Sequence, residues 1–83
     1  MELTEERREQ LARKGERLYE KSCRIDDGGA CMMGFVEHHA ERGEAAVLED
    51  FYGFLHGKLE AETDPARLRI TEALVSKITA LLD

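Results

Sequence analysis

The sequence predicts an all-α protein: one domain over residues 1–83, built as a small antiparallel bundle of about four helices. Three observations carry that prediction. Apolar residues recur at three- and four-residue spacing through most of the chain. Asp64-Pro65 pairs a capping side chain with a proline at the first helical position, the clearest helix start in the sequence. No stretch requires a β-strand, and short connections between helices favour antiparallel neighbours.

The first helix is expected from about Thr4 to Arg24. Thr4 is a good N-cap, and Glu5 and Glu6 fall in the first turn, where the helix dipole favours negative charge. Leu11, Leu18 and Ile25 recur every seven residues, and Ala12, Tyr19 and Cys23 widen that stripe. Gly15 inside the helix costs ~1 kcal/mol relative to Ala and leaves two readings open, a close helix crossing or no role at all. Asp26-Asp27-Gly28-Gly29 then stops the helix, since aspartate caps and glycine tolerates a positive φ.

A second helix is expected over Ala30 to Arg42, with Met32 or Met33, Val36 and Ala40 facing inward and Phe35 beside them. Gly43 leaves two readings open. It ends this helix in a left-handed cap, or it lies inside one long helix, because the apolar phase continues through it. Mean helix length, ~11–12 residues, favours the break. The third helix, Glu44 to about Leu59, is apolar over more than half its circumference, with Val47, Leu48, Phe51, Phe54 and Leu55 prominent. Gly53 and Gly57 occupy its remaining face. After a short linker the last helix runs from Pro65 to about Leu82 on a stripe of Leu68, Thr71, Leu74, Val75, Ile78, Leu81 and Leu82.

Composition bounds function. Eighty-three residues support one small core. No apolar run approaches the ~18 residues that span a bilayer, so no membrane association is expected. Residues 1–6 lack the basic start and apolar core of a signal peptide. The chain is therefore expected to be cytoplasmic, with Cys23 and Cys31 as free thiols. The net charge of -6 is concentrated: residues 25–64 carry ten acids against two bases. Such a surface repels nucleic acid, so direct nucleic-acid binding is not expected.

Cys23 to His39 holds both cysteines, two of the three histidines and the Asp-Asp-Gly-Gly run. A thiolate–imidazole pair is conceivable there, but no oxyanion hole accompanies it and the chain has little mass for a substrate cleft. No catalytic residue and no enzyme activity are therefore expected. Cys-x7-Cys is not a zinc-finger spacing, and adjacent His38 and His39 diverge by ~100° on a helix. Beside Glu37 and Glu41 they read as a polar helix face. Met32 and Met33 read as core packing, and Tyr19 and Tyr52 as amphipathic residues at a bundle edge or interface. No metal and no cofactor are expected. Should a site exist, a hairpin about Gly43 would gather Cys23, Cys31 and His56, with Asp26 or Asp27, and leave out the His-His pair.

The function expected is that of a non-enzymatic interaction protein, an adaptor or inhibitor that docks on a basic-surfaced protein partner. Glu37, Glu41, Glu44, Glu49 and Asp50 are the contact residues expected. A homodimer is expected as well, because helices 3 and 4 display more apolar side chains than a short monomer readily buries. The alternative is a transition-metal or thiol redox module using Cys23, Cys31 and His56.

Overall fold

A computed structural model describes residues 3–83. Its regular structure is entirely helical among the described residues: α1 Glu5–Ile25, α2 Ala30–Glu41, α3 Ala45–Ala61 and α4 Pro65–Leu82. Each helix starts where local chemistry dictates. The Thr4 hydroxyl accepts from the Arg7 amide at 3.1 Å. The Asp64 carboxylate accepts from the Ala66 amide at 3.1 Å, with Pro65 in the first turn. Both are side-chain caps that satisfy an otherwise orphaned N–H.

The turn between α1 and α2 is organised by Asp27. Its carboxylate accepts from the Gly29 amide at 2.9 Å and the Cys31 amide at 3.0 Å, and from the Ser22 hydroxyl. It thus caps α2 from two residues before Gly29, which has no side chain to offer. Asp26 terminates α1 in the left-handed region at φ 51°, a conformation aspartate tolerates better than most residues. Gly43 breaks the chain between α2 and α3 at φ 72°, so the two helices are separate rather than continuous.

One core joins all four helices. Leu11 and Tyr19 of α1 meet Met32, Phe35 and Val36 of α2, Val47, Leu48, Phe51 and Leu55 of α3, and Ile70, Leu74 and Ile78 of α4. The inward face of α1 differs from the heptad reading. Leu11, Gly15, Tyr19 and Ser22 are buried, whereas Leu18 is half-buried and Ile25 is 53% exposed. Gly15 explains the difference. A Cβ built there would lie 3.2 Å from a Phe51 ring carbon and 3.3 Å from one of Phe35, so α1 packs its backbone directly against two aromatic rings. Tyr19, expected at an edge, is instead fully buried. Its hydroxyl lies 2.8 Å from Thr71 Oγ1. Thr71 in turn donates to the Arg67 carbonyl at 2.8 Å, so the Tyr19 O–H is the donor in the first bond.

The contacts run in a consistent order. Arg8 bonds Asp50, Gly15 meets Phe51, Tyr19 meets Phe54, and Glu20 reaches Lys58 at 3.7 Å. Glu20 also reaches Arg67 at 3.9 Å, and Lys77 reaches Glu37 at 3.5 Å. Within one chain α3 and α4 bury or half-bury most of their apolar side chains. The exposed large apolar residues among those described are Ile25, Leu81 and Leu82. The surplus apolar surface behind the expected homodimer is therefore small. It is also divided: Asp26, next to Ile25, lines one depression with Ala66 and Arg69, whereas Leu81 is at least twelve residues further along α4, ~18 Å or more away. Among the described residues, no helix is long and apolar enough to cross a membrane.

Candidate functional site: the end of the molecule where α1 begins

The start of α1 lies against the turn between α2 and α3, and charged side chains from three helices meet there. His39 is the most buried of them, with 5% of its surface exposed. It takes the position after Met32, Phe35 and Val36 on the inward stripe of α2, and its ring packs edge-on against Phe35 at a centroid distance of 4.7 Å. Its Nδ1 lies 3.0 Å from the Glu44 carboxylate, which also accepts from Arg42 Nε at 2.7 Å. The His39 bond and then the Arg42 charge hold the Glu44 pKa below the ordinary carboxylate range. Glu44 is thus ionised and accepts only, so His39 Nδ1 carries the proton. A cleft of about 430 Å³ opens onto this pair, walled by Arg7, His38 and Arg42 and floored by Leu3 and Leu11.

On the adjacent face α1 and α3 share an acidic seam. Arg8 reaches across from α1 to Asp50, with Nε to Oδ2 at 3.0 Å and Nη2 to Oδ1 at 2.8 Å. Glu5 and Glu9 line the same shallow depression, and Glu49 lies close enough to raise the Arg8 pKa together with Asp50 and Glu5. Three carboxylates therefore act on the Arg8 guanidinium, and Glu9 lines the same depression.

The five acids expected to contact a partner do not form one surface. Glu49 and Asp50 belong to this seam. Glu37 is exposed on α2 and faces Lys77 of α4. Glu41 is exposed at the end of α2. Glu44 is turned inward, its side chain 12% exposed, and is committed to His39 and Arg42. Two acids of the seam, Glu5 and Glu9, come from α1, whose balanced charge count draws no attention in the sequence. Their one-turn spacing on the exposed face of a helix was the available signal.

His39 is likewise misplaced by the sequence reading, which put it with His38 on a polar face. Only His38 is exposed. The spacing 32, 35, 36, 39 continues a helical stripe and was the signal for its burial.

Cys23, Cys31 and His56 are not gathered. Among the described residues no group of three His, Cys, Asp or Glu side chains is placed to hold a metal ion. Cys23 lies by Tyr19 and Arg67, and burial pushes its thiol pKa up. Cys31 contacts the Asp27 carboxylate, which raises its thiol pKa, with burial adding to the effect. The same thiol, with the Ser22 hydroxyl, drives Asp27 far below the ordinary aspartate value. Asp26 is exposed. His56 is exposed and lies tilted against Tyr52 one turn earlier, at 4.6 Å between centroids. Phe35 meets Phe51, each eight residues from Gly43, and on this part of α3 the buried residue is Leu55. His56, one residue on, is rotated away by ~100°.

No protein-family model, no curated protein and no solved structure matches this chain.

Proposed function

We propose that this chain is a cytoplasmic, non-enzymatic interaction protein, an antiparallel four-helix bundle whose acidic α1–α3 seam docks on a basic surface of another protein. The observation that carries this reading is the convergence of Glu5, Glu49 and Asp50 on one base, Arg8, with Glu9 lining the same depression. Carboxylates held on two packed helices present negative charge without further ordering cost, and their field steers a basic partner into contact. The contact order from Arg8–Asp50 to Glu20–Lys58 supports α1 and α3 running side by side in the same direction, which an antiparallel bundle requires of its alternate helices. The net charge of -6 favours a basic protein over nucleic acid as the occupant. The metal form of the alternative has less support, since among the described residues no group of three His, Cys, Asp or Glu side chains is placed to hold an ion.

Affinity isolation tests the proposal, with the wild-type chain and the triple variant Glu5→Lys, Glu9→Lys, Glu49→Lys as parallel baits. A basic protein retained by the wild type, released by salt and absent from the variant is the result expected. Equal retention by both baits, or retention that salt does not disturb, refutes docking through the seam.

A further inference from the structure

We propose that the cleft at the start of α1 binds a small, soluble, doubly charged oxyanion of the phosphate-monoester class, and that binding takes up a proton on His39. The cleft stands apart from the acidic seam. Its volume of about 430 Å³ falls in the range of small-molecule sites.

The ring of His39 is held from one side only. Nδ1–H donates to Glu44, while Nε2 has no protein partner among the described residues. No buried side-chain nitrogen or oxygen described is left unsatisfied, so Nε2 opens onto the cleft that His39 lines. With the Nδ1 proton committed to a carboxylate, Nε2 is a lone pair in the neutral ring and an N–H donor in the imidazolium.

What surrounds Nε2 decides which form a ligand uses. Arg7 of α1, which also bonds Gln10 Oε1 at 3.3 Å, His38 of α2 and Arg42 of the α2–α3 turn line the same cleft, with Glu44 as the one acid among the described lining residues. Arg42 spends its Nε–H on Glu44 at 2.7 Å, and neither of its terminal nitrogens bonds another described residue. Two guanidinium groups repel a metal ion and attract an oxyanion, which guanidinium recognises through paired N–H bonds. An anion cannot approach a lone pair. It binds the ring only after Nε2 has taken a proton from the medium, which then sits between ring and ligand.

A second feature points the same way. An adjoining cleft of about 670 Å³ shares Leu3, Arg42 and Glu44 with the first and is bounded by Arg8, Ala45 and Ala46. The 17-residue helix α3 starts there without a side-chain cap, because the Glu44 carboxylate is turned toward His39 and Arg42. The first-turn N–H groups of α3 therefore add to the anion-attracting field.

Sulfate is the probe, since its charge stays fixed across the pH range used and any pH dependence belongs to the protein. Titration of the full chain, followed by calorimetry and amide shifts, is expected to show one saturable site. Inorganic phosphate should displace the sulfate. Affinity should fall as pH rises, with proton uptake visible as a buffer-dependent heat. His39→Gln should abolish the pH dependence, whereas His56→Gln, outside the cleft, should leave it. Arg7→Gln, at an exposed position, should weaken binding by about tenfold without changing the melting temperature. Absence of saturable binding, pH-independent binding, pH dependence kept in His39→Gln, or binding indifferent to Arg7→Gln each overturns the proposal.

Discussion

The Arg8 guanidinium meets the Asp50 carboxylate fork to fork, with two hydrogen bonds at 2.8 and 3.0 Å that tie α1 to α3. This geometry sets one positive charge among the carboxylates of the seam. Replacing Arg8 by Gln leaves them uncompensated. Its melting temperature should drop below wild type at pH 7 in low salt. The gap should narrow in high salt, which screens exposed charge, and on acidification, which neutralises the carboxylates. Thermal denaturation at two salt concentrations checks this. A gap that ignores salt would mean that Arg8 acts by packing rather than charge.

Gly15 and Gly53 should respond in opposite directions to larger side chains. Gly15 faces ring carbons of Phe51 and Phe35 at 3.2 and 3.3 Å, whereas a Cβ at Gly53 meets nothing within 4 Å. Gly15→Leu overpacks the crossing and should cost ~2–3 kcal/mol. Gly53→Ala should gain ~0.5–1 kcal/mol from helix propensity alone. Urea unfolding of the two variants gives both numbers, and a stable Gly15→Leu would show that α1 does not approach so closely.

The contrast at Gly15 also shows what could be read without the structure. The α4 stripe was legible in part: Asp64-Pro65 fixes its phase and Thr71, Leu74 and Ile78 are buried as expected, whereas Leu81 and Leu82 are exposed and Ile70, outside the expected stripe, is buried. The face of α1 was not, because two of its four buried positions are Gly15 and Ser22, which carry no hydropathy signal. Leu18 and Ile25 then suggested a rotated stripe. At the candidate site Glu49 and Asp50 were found by charge. His39 and Glu44 were misassigned because hydropathy cannot say that a histidine and a glutamate five residues apart satisfy each other across a turn.

Asp27 should govern both the acid stability of the fold and the reactivity of Cys31. Its pKa is held far below the ordinary aspartate value, ~3.9, by the Cys31 thiol, Ser22 and the backbone of α2. A depressed pKa contributes stability that is complete above the unfolded-state value and is lost as pH falls toward the folded-state one. Asp27→Asn should therefore melt earlier at pH 7 and lose less on titration below about pH 4 than wild type. Removing the negative charge also removes the main cause of the raised Cys31 pKa, so Cys31 should alkylate faster in the variant. Parallel melting curves and unchanged thiol rates would sever Asp27 from both roles.

Docking through the α1–α3 seam is tested most directly by amide shift mapping with a short lysine- and arginine-rich peptide as the basic surface. At about 20 mM salt, shifts should concentrate at Glu5, Glu9, Glu49 and Asp50 and fade at about 200 mM, where the screening length drops below 10 Å. Shifts spread equally over Glu16, Glu60 and Glu72, or none at low salt, would contradict it.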